Sequence, residues 1–251
     1  MNDRRLRVLA AVALCLGFAV LDVILLLTAV HIVGTDGSLY YAEQMKAGIL
    51  PEAGICDAAL RTLDGSLARY LGGDAGALQP GNPFNEREMA HMADCYSLFE
   101  LLRRVRSRLI PWAIVLILGG AYVLRDRGRI RLCAWLSPLI LLLPLGAFAL
   151  YAALNFDAAF TLFHEVLFRN DLWLLDPRTD LLIRICPESM FMDMGIRITA
   201  YSLAGMLAAS TIATVLTFIW PKEKEGKDAW KRTTGGGPAP KRISFGRGGT
   251  R

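Results

Sequence analysis

The stretch LRVLAAVALCLGFAVLDVILLLTAVHIV, Leu6–Val33, decides the fold. A helix rises 1.5 Å per residue, so about 20 apolar residues cross a hydrocarbon core of about 30 Å. This run is longer than that. A secretory leader also opens on basic residues, as here with Arg4, Arg5 and Arg7, but its apolar core runs only about 7–15 residues before a small-x-small site. No such site follows Leu6–Val33. The segment is therefore expected to stay in the chain as a membrane-spanning helix.

Three further apolar runs lie at about residues 109–124, 132–154 and 196–220. The chain is 54% hydrophobic with a mean hydropathy of +0.38. Both values exceed those of an ordinary soluble domain. Only helices or closed barrels satisfy their backbone inside lipid. The expected fold is an all-α membrane protein: a four-transmembrane-helix bundle with two helical outer-face loops. The run at 109–124 is short, and local bilayer thinning is the expected accommodation.

Lysine and arginine in short flanks set the orientation. Arg4, Arg5 and Arg7 precede the first span. Arg125, Arg127, Arg129 and Arg131 fill the turn between the second and third. Lys222, Lys224, Lys227, Lys231 and Arg232 follow the fourth. These three groups fall on one side, which makes the N- and C-termini cytoplasmic and puts the loops at about 34–107 and 155–195 outside. Arg103, Arg104, Arg106 and Arg108 oppose the rule but are outnumbered. They are read either as phosphate holders, Arg104 among them, or as a snorkelling face. Residues 221–251 are basic, then Gly/Pro-rich, and read as a disordered tail.

Cys15 and Cys133 fall in or beside spans, whereas Cys56, Cys95 and Cys186 fall outside, where a disulfide persists. One bond among the outer three and three free thiols both stand open. Asp22 lies deep in the first span. A carboxylate there is costly, so it is expected to face the bundle interior in a structural role.

In the first loop, Leu60, Leu63, Leu67 and Leu71 recur at helical spacing, and Gly72-Gly73 ends that run. Asn85 followed by Glu88 is a capping-box pattern. The helix it opens carries His91 and Asp94, three apart and within reach of each other. In the second loop, Phe160, Phe163, Leu167 and Phe168 form an apolar stripe suited to the lipid–water boundary. His164 and Asp171 share one face if that helix continues, and Trp173 fits an interfacial anchor.

His164-Glu165 opens a zinc-protease His-Glu-x-x-His helix, but position 168 is Phe and the motif fails. His91, Asp94, His164, Glu165 and Asp171 have the donor types of a metal site. No Gly-x-Ser-x-Gly elbow and no phosphate-cradling glycine loop is present. Imidazole acid–base chemistry remains, since neutral histidine accepts a proton near pH 7 and returns it. A packing role for either histidine is the competing reading.

Together these segments resemble the lipoprotein intramolecular transacylase (Lit) family of bacterial integral membrane proteins. The resemblance rests on Leu63–Leu71, on Glu88-x-x-His91-x-x-Asp94, on Phe163-His164 through Asn170-Asp171-x-Trp173 and Asp176-Pro177, and on Pro187-Glu188-x-x-Phe191-x-Asp193. The family's usual Asp-Val-Lys reads Asp94-Cys95-Tyr96 here, so no lysine stands at that place. The resemblance implies a transacylase that moves the sn-2 acyl chain of a diacylglyceryl lipoprotein to the amine of its N-terminal cysteine, giving the lyso form. It implies His91 and His164 as the catalytic pair on the extracytoplasmic face of a bacterial cell membrane. Glu88, Asp94 or Asp171 would orient an imidazole, and Asn170 or an arginine would face the oxyanion. Arg104 and Trp173 would contact substrate or membrane phospholipid. No cofactor, metal or nucleic-acid partner is expected. A metal-dependent membrane hydrolase and a non-enzymatic membrane scaffold or sensor are the alternatives.

Overall fold

A computed structural model describes residues 3–78 and 81–219, and the expected tail lies outside the described residues. Residues 1–217 form one compact unit, and of the second, 218–251, only Phe218 and Ile219 are described. Among the described residues there are helices and no strands. They are α1 (Asp3–Gly34), α2 (Gly37–Ala47), α3 (Leu50–Ala53), α4 (Asp57–Gly72), α5 (Glu86–Leu124), α6 (Arg127–Leu154), α7 (Phe156–Leu167), α8 (Leu181–Ile185) and α9 (Glu188–Ile219).

Four of them, α1, α5, α6 and α9, are long and apolar enough to cross a membrane. The second is not a short helix beginning near residue 109. The helix that opens at Glu86 runs unbroken for 39 residues, about 58 Å at 1.5 Å per residue. That is nearly twice a hydrocarbon core. Its first half carries Glu86, Arg87, Glu88, Asp94, Glu100 and four arginines up to Arg108, so only the part after Arg108 suits lipid. His91 therefore rides on a rigid extension of a membrane helix.

Close backbone approach holds α1 to α5. A Cβ built on Gly120 would lie 2.9 Å from the Ala10 carbonyl oxygen, and one on Gly17 would lie 2.9 Å from the Ile117 nitrogen. Backbone cannot yield as a side chain does, so glycine is required at both places. Pro138 inside α6 has no N–H and leaves the Ala134 carbonyl without its helical donor. Ser210 of α9 supplies the missing hydrogen bond at 2.6 Å, which joins the two helices. Asp22 does face the interior, 3% exposed and beside Ser137 of α6. Cys15 and Cys133 are joined by a disulfide with Cα atoms 5.0 Å apart, while Cys56, Cys95 and Cys186 are free. Of the two readings left open for the outer three cysteines, free thiols is the one found, and the bond lies instead between the two in or beside spans.

At the other end the two interhelical segments share one apolar core. Leu60, Leu63, Leu67 and Leu71 of α4 pack with Met92 of α5 and with Leu181, Leu182 and Ile185 of α8. Arg103 of α5 also belongs here. Its guanidinium donates to the Leu71 carbonyl at 2.6 Å and to Glu100 at 2.7 Å. One of the four arginines that opposed the charge rule is thereby engaged in closing α4.

Asp64 is fully buried in that core. Gln44 donates to its Oδ1 at 3.0 Å and to the Ile185 carbonyl at 2.9 Å, tying α2, α4 and α8. Its Oδ2 has no partner among the described residues. Burial pushes the Asp64 carboxyl up to about 6. A raised carboxyl holds its proton more tightly in the folded state, so the stability from that proton is complete below about pH 4 and lost as pH rises through 6. Asp64→Asn keeps the oxygen that Gln44 reaches and cannot ionise. It is expected to raise the melting temperature at pH 7.5, by up to ~3 kcal/mol of stability, with the gain vanishing toward pH 4. Thermal scans in detergent at the two pH values measure it.

Candidate active site

The site is assembled around the first turn of α5. Asn85 caps that helix. Its Oδ1 accepts from the Glu88 N–H at 3.0 Å, and the Asn85 N–H donates to Glu88 Oε2 at 2.8 Å. Glu88 is 1% exposed, and its other oxygen accepts the Leu182 N–H, at the start of α8, at 2.5 Å. Asn85 Nδ2 donates to Asp180 Oδ1 at 2.8 Å, and Asp180 Oδ2 accepts the Asp176 N–H at 2.8 Å. A single polar knot thus closes the start of α5 onto the segment before α9. Arg87, in the same first turn, donates to the Asp171 carbonyl, and further along α5 Asp94 accepts from Asn170 at 2.9 Å.

This docking brings His91 and His164 together, with ring centroids 6.1 Å apart. Both are buried. His164 sits in the last turn of α7, and its Nδ1 lies 2.8 Å from the Phe160 carbonyl oxygen. A carbonyl only accepts, so Nδ1 carries the proton and the Nε2 lone pair of the neutral ring is left for chemistry. The orienting group is therefore a backbone carbonyl one turn back, not one of the acids expected for the task. Glu88 binds backbone N–H groups and Asp94 binds Asn170. Asp171 is off the helix altogether, because α7 ends at Leu167 and Phe168 is extended. Asn170 serves as a loop brace, its Nδ2 on Asp94 and its Oδ1 accepting the Leu172 N–H.

Aromatic rings enclose the pair. Trp173 stacks on His164 at 4.9 Å and 27°, Phe168 stacks on it at 5.6 Å, and Phe160 lies 4.1 Å away. Phe168 also meets His91 edge-on at 5.2 Å. Trp173 is nine-tenths buried against an imidazole, which corrects its reading as an interfacial anchor. The expected lipid contact Arg104 does not join the site. It lies thirteen residues past His91, about 20 Å along α5, and pairs with Glu100. The cage went unread in the sequence, although Phe160 four residues before His164 was its one visible signal.

His91 Nε2 faces the Cys95 thiol at 3.6 Å, and its Nδ1 is enclosed with no partner among the described residues. Burial pushes Cys95 up to about 12, so it stands as a thiol and not as a thiolate nucleophile. Burial, with His164 adding repulsion and Asp94 opposing, brings His91 down to about 4. Burial also lowers His164, against the Phe160 carbonyl that favours its charged form. Both rings are neutral at pH 7. Among the described residues no three His, Cys, Asp or Glu side chains converge as a metal-ligand set, so the five donors named from the sequence are not gathered.

The fold defines a polytopic α-helical membrane protein whose non-membrane end carries a buried histidine pair. The family model for lipoprotein intramolecular transacylase Lit matches residues 15–191, and the chain belongs to that family of membrane transacylases. The solved structure of the membrane-integral lipoprotein intramolecular transacylase Lit from Bacillus cereus superposes with a TM-score of 0.60 at 23% identity, over 85% of this chain and 95% of that one. A histidine-to-arginine variant of the same protein gives 0.59 at 21% identity, over 92% and 94%. At such identities the likeness is one of fold. No curated protein sequence matches.

Two outcomes check this geometry. In 13C-histidine NMR titrations, His164 is expected to protonate below the ordinary imidazole value of 6.5 and His91 lower still, near 4. A His91 transition at or above 6.5 contradicts the burial. Glu88→Ala leaves the Leu182 N–H buried and unpaired and is expected to cost ~1–3 kcal/mol in thermal denaturation, with Glu88→Gln losing less.

Proposed function

We propose that this transacylase moves the sn-2 acyl chain of a diacylglyceryl lipoprotein to the amine of its N-terminal cysteine, with His164 as base and His91 as its partner. The observation that carries the reading is the His164 geometry: Nδ1 committed to the Phe160 carbonyl, Nε2 left with its lone pair, and a second imidazole 6.1 Å away. The amine nitrogen attacks the ester carbonyl, His164 Nε2 removes a proton from that nitrogen, and the glycerol oxygen leaves with a proton. One ester and one amine become one amide and one alcohol, so neither water nor an acyl-enzyme is needed.

The pair suits a single travelling proton. When His164 is charged, repulsion disfavours a second proton on His91, which burial already keeps neutral. A proton taken at one ring is therefore passed on rather than stored twice. Nucleophile and ester belong to one molecule, and holding them together supplies up to ~7–11 kcal/mol in ideal intramolecular cases. The enzyme has mainly to position them and carry the proton.

The charge asymmetry of the flanks supports an extracytoplasmic placement of the histidine end, with both termini cytoplasmic. Exposed Leu162, Phe163 and Val166 on α7 support a helix lying against lipid beside the site. The ester of a membrane-anchored substrate would then meet His164 at the leaflet surface, among phospholipids.

Mass spectrometry of a lipoprotein's N-terminal peptide tests the reading in a host with no other copy of the enzyme. Wild type is expected to shift one acyl chain from glycerol to nitrogen. His164→Ala and His91→Ala are each expected to lower the rate by ~10²–10⁴-fold, the usual worth of acid–base help. Lyso-form product at the wild-type rate from both variants would sink it.

A further inference from the structure

A cavity of about 450 Å³ lies on the far side of the rings that stack on His164. Phe168 and Trp173 form its shared wall with the imidazole, and Thr161, Glu165, Arg169 and Asp171 complete most of its lining. Thr161 and Glu165 are spaced four apart, so they lie along one face of α7, and Phe168 follows just past its end. Its size falls within the range of ligand sites.

The lining offers polar groups to whatever enters. Glu165, Arg169 and Asp171 are exposed and their side chains make no ion pair among the described residues. Trp173 is nine-tenths buried and lines the cavity, yet its indole N–H has no acceptor among the described residues. A buried tryptophan N–H usually finds a partner. Here the indole nitrogen is not one of the buried unpaired atoms, so it stays open to the cavity, where a ligand carbonyl can take the place of water.

The substrate's shape selects which part that is. A diacylglyceryl cysteine branches three ways, into acyl chains, an amine and a polypeptide. The acyl chains need lipid and the amine needs His164. Only the polypeptide must leave the reaction centre through a polar passage. On the functional reading above, we propose that this cavity receives the first residues after the acylated cysteine. The Trp173 indole N–H donates to a backbone carbonyl there. Two carboxylates against one guanidinium give the lining a negative balance, which selects against an acidic side chain next to the cysteine.

Synthetic diacylglyceryl lipopeptides with Ser, Lys or Asp after the cysteine test this, using the full-length enzyme in proteoliposomes and mass-spectrometric rates. The Asp peptide is expected to show kcat/KM about tenfold below the Ser peptide, carried by KM and narrowing at high salt. The Lys peptide should equal or exceed Ser. Glu165→Gln with Asp171→Asn is expected to bring the Asp-to-Ser ratio near one, and Arg169→Gln to widen it. The two act in opposite directions, so either alone reads the charge effect if the other fails to fold. Trp173→Phe keeps a ring on His164 and loses the donor, and should raise KM about fivefold for all three peptides. Equal kcat/KM for the three peptides with wild type, or a ratio that ignores these charges, overturns the proposal. Absence of transfer from every peptide overturns the functional reading itself, a separate result.

Discussion

One buried carboxylate holds the non-membrane end together. Glu88 accepts backbone N–H groups from both sides of a gap of more than ninety residues, at Asn85 and at Leu182. An N–H abandoned in that core would cost its full desolvation. The start of α5 and the start of α8 can therefore settle in only one arrangement. His91 is the next residue on that face of α5. The segment between α7 and α8, pinned by Asn170 to Asp94 and by Arg87 to the Asp171 carbonyl, returns Trp173 and Phe168 to cover His164. The distance between the imidazoles follows from these polar attachments rather than from any contact between the rings.

The membrane half answers the same demand by different means. Lipid offers no hydrogen bonds, so each irregularity in a spanning helix has to be met from a neighbour. Pro138 frees a carbonyl and Ser210 meets it. Gly17 and Gly120 let two backbones touch where larger residues would hold them apart. These devices fix α1, α5, α6 and α9 against each other. Because α5 continues for several turns past the lipid-suited segment, that rigidity is delivered directly to His91.

Much of this was legible in the sequence, and the limits have physical causes. Apolar runs report spans because hydrocarbon thickness sets their length. The Asn85–Glu88 cap and the α4 leucine face were visible because both are local patterns. The continuity of α5 was not, since a charged stretch and an apolar stretch read as different environments although one helix can pass through both. Asp171 does not share the His164 face for a related reason. Spacing along a chain shows what shares a face only while the helix lasts, and α7 stops at Leu167. The Cys15–Cys133 bond was not legible because compartment, the only cue in composition, says nothing about which sulfurs meet. The Trp173–His164 stack depends on how a loop folds back, which no periodicity encodes.

The aromatic cage gives the depressed histidines a use. On the function proposed above, the substrate's free α-amino group, with a pKa of about 7.7–8.0, would arrive mostly protonated at neutral pH. A base that was itself cationic would repel that ammonium and have no lone pair to offer. Rings of Trp173, Phe168 and Phe160 strip water from His164, which disfavours its charged form. On that reading the Phe160 carbonyl would stabilise an imidazolium through Nδ1–H without tying up Nε2 beforehand. An aspartate in the carbonyl's place would attract protons to the ring at all times and raise its pKa toward that of the amine. A neutral orienting group and an apolar enclosure would together keep such a base empty-handed until the amine is in position.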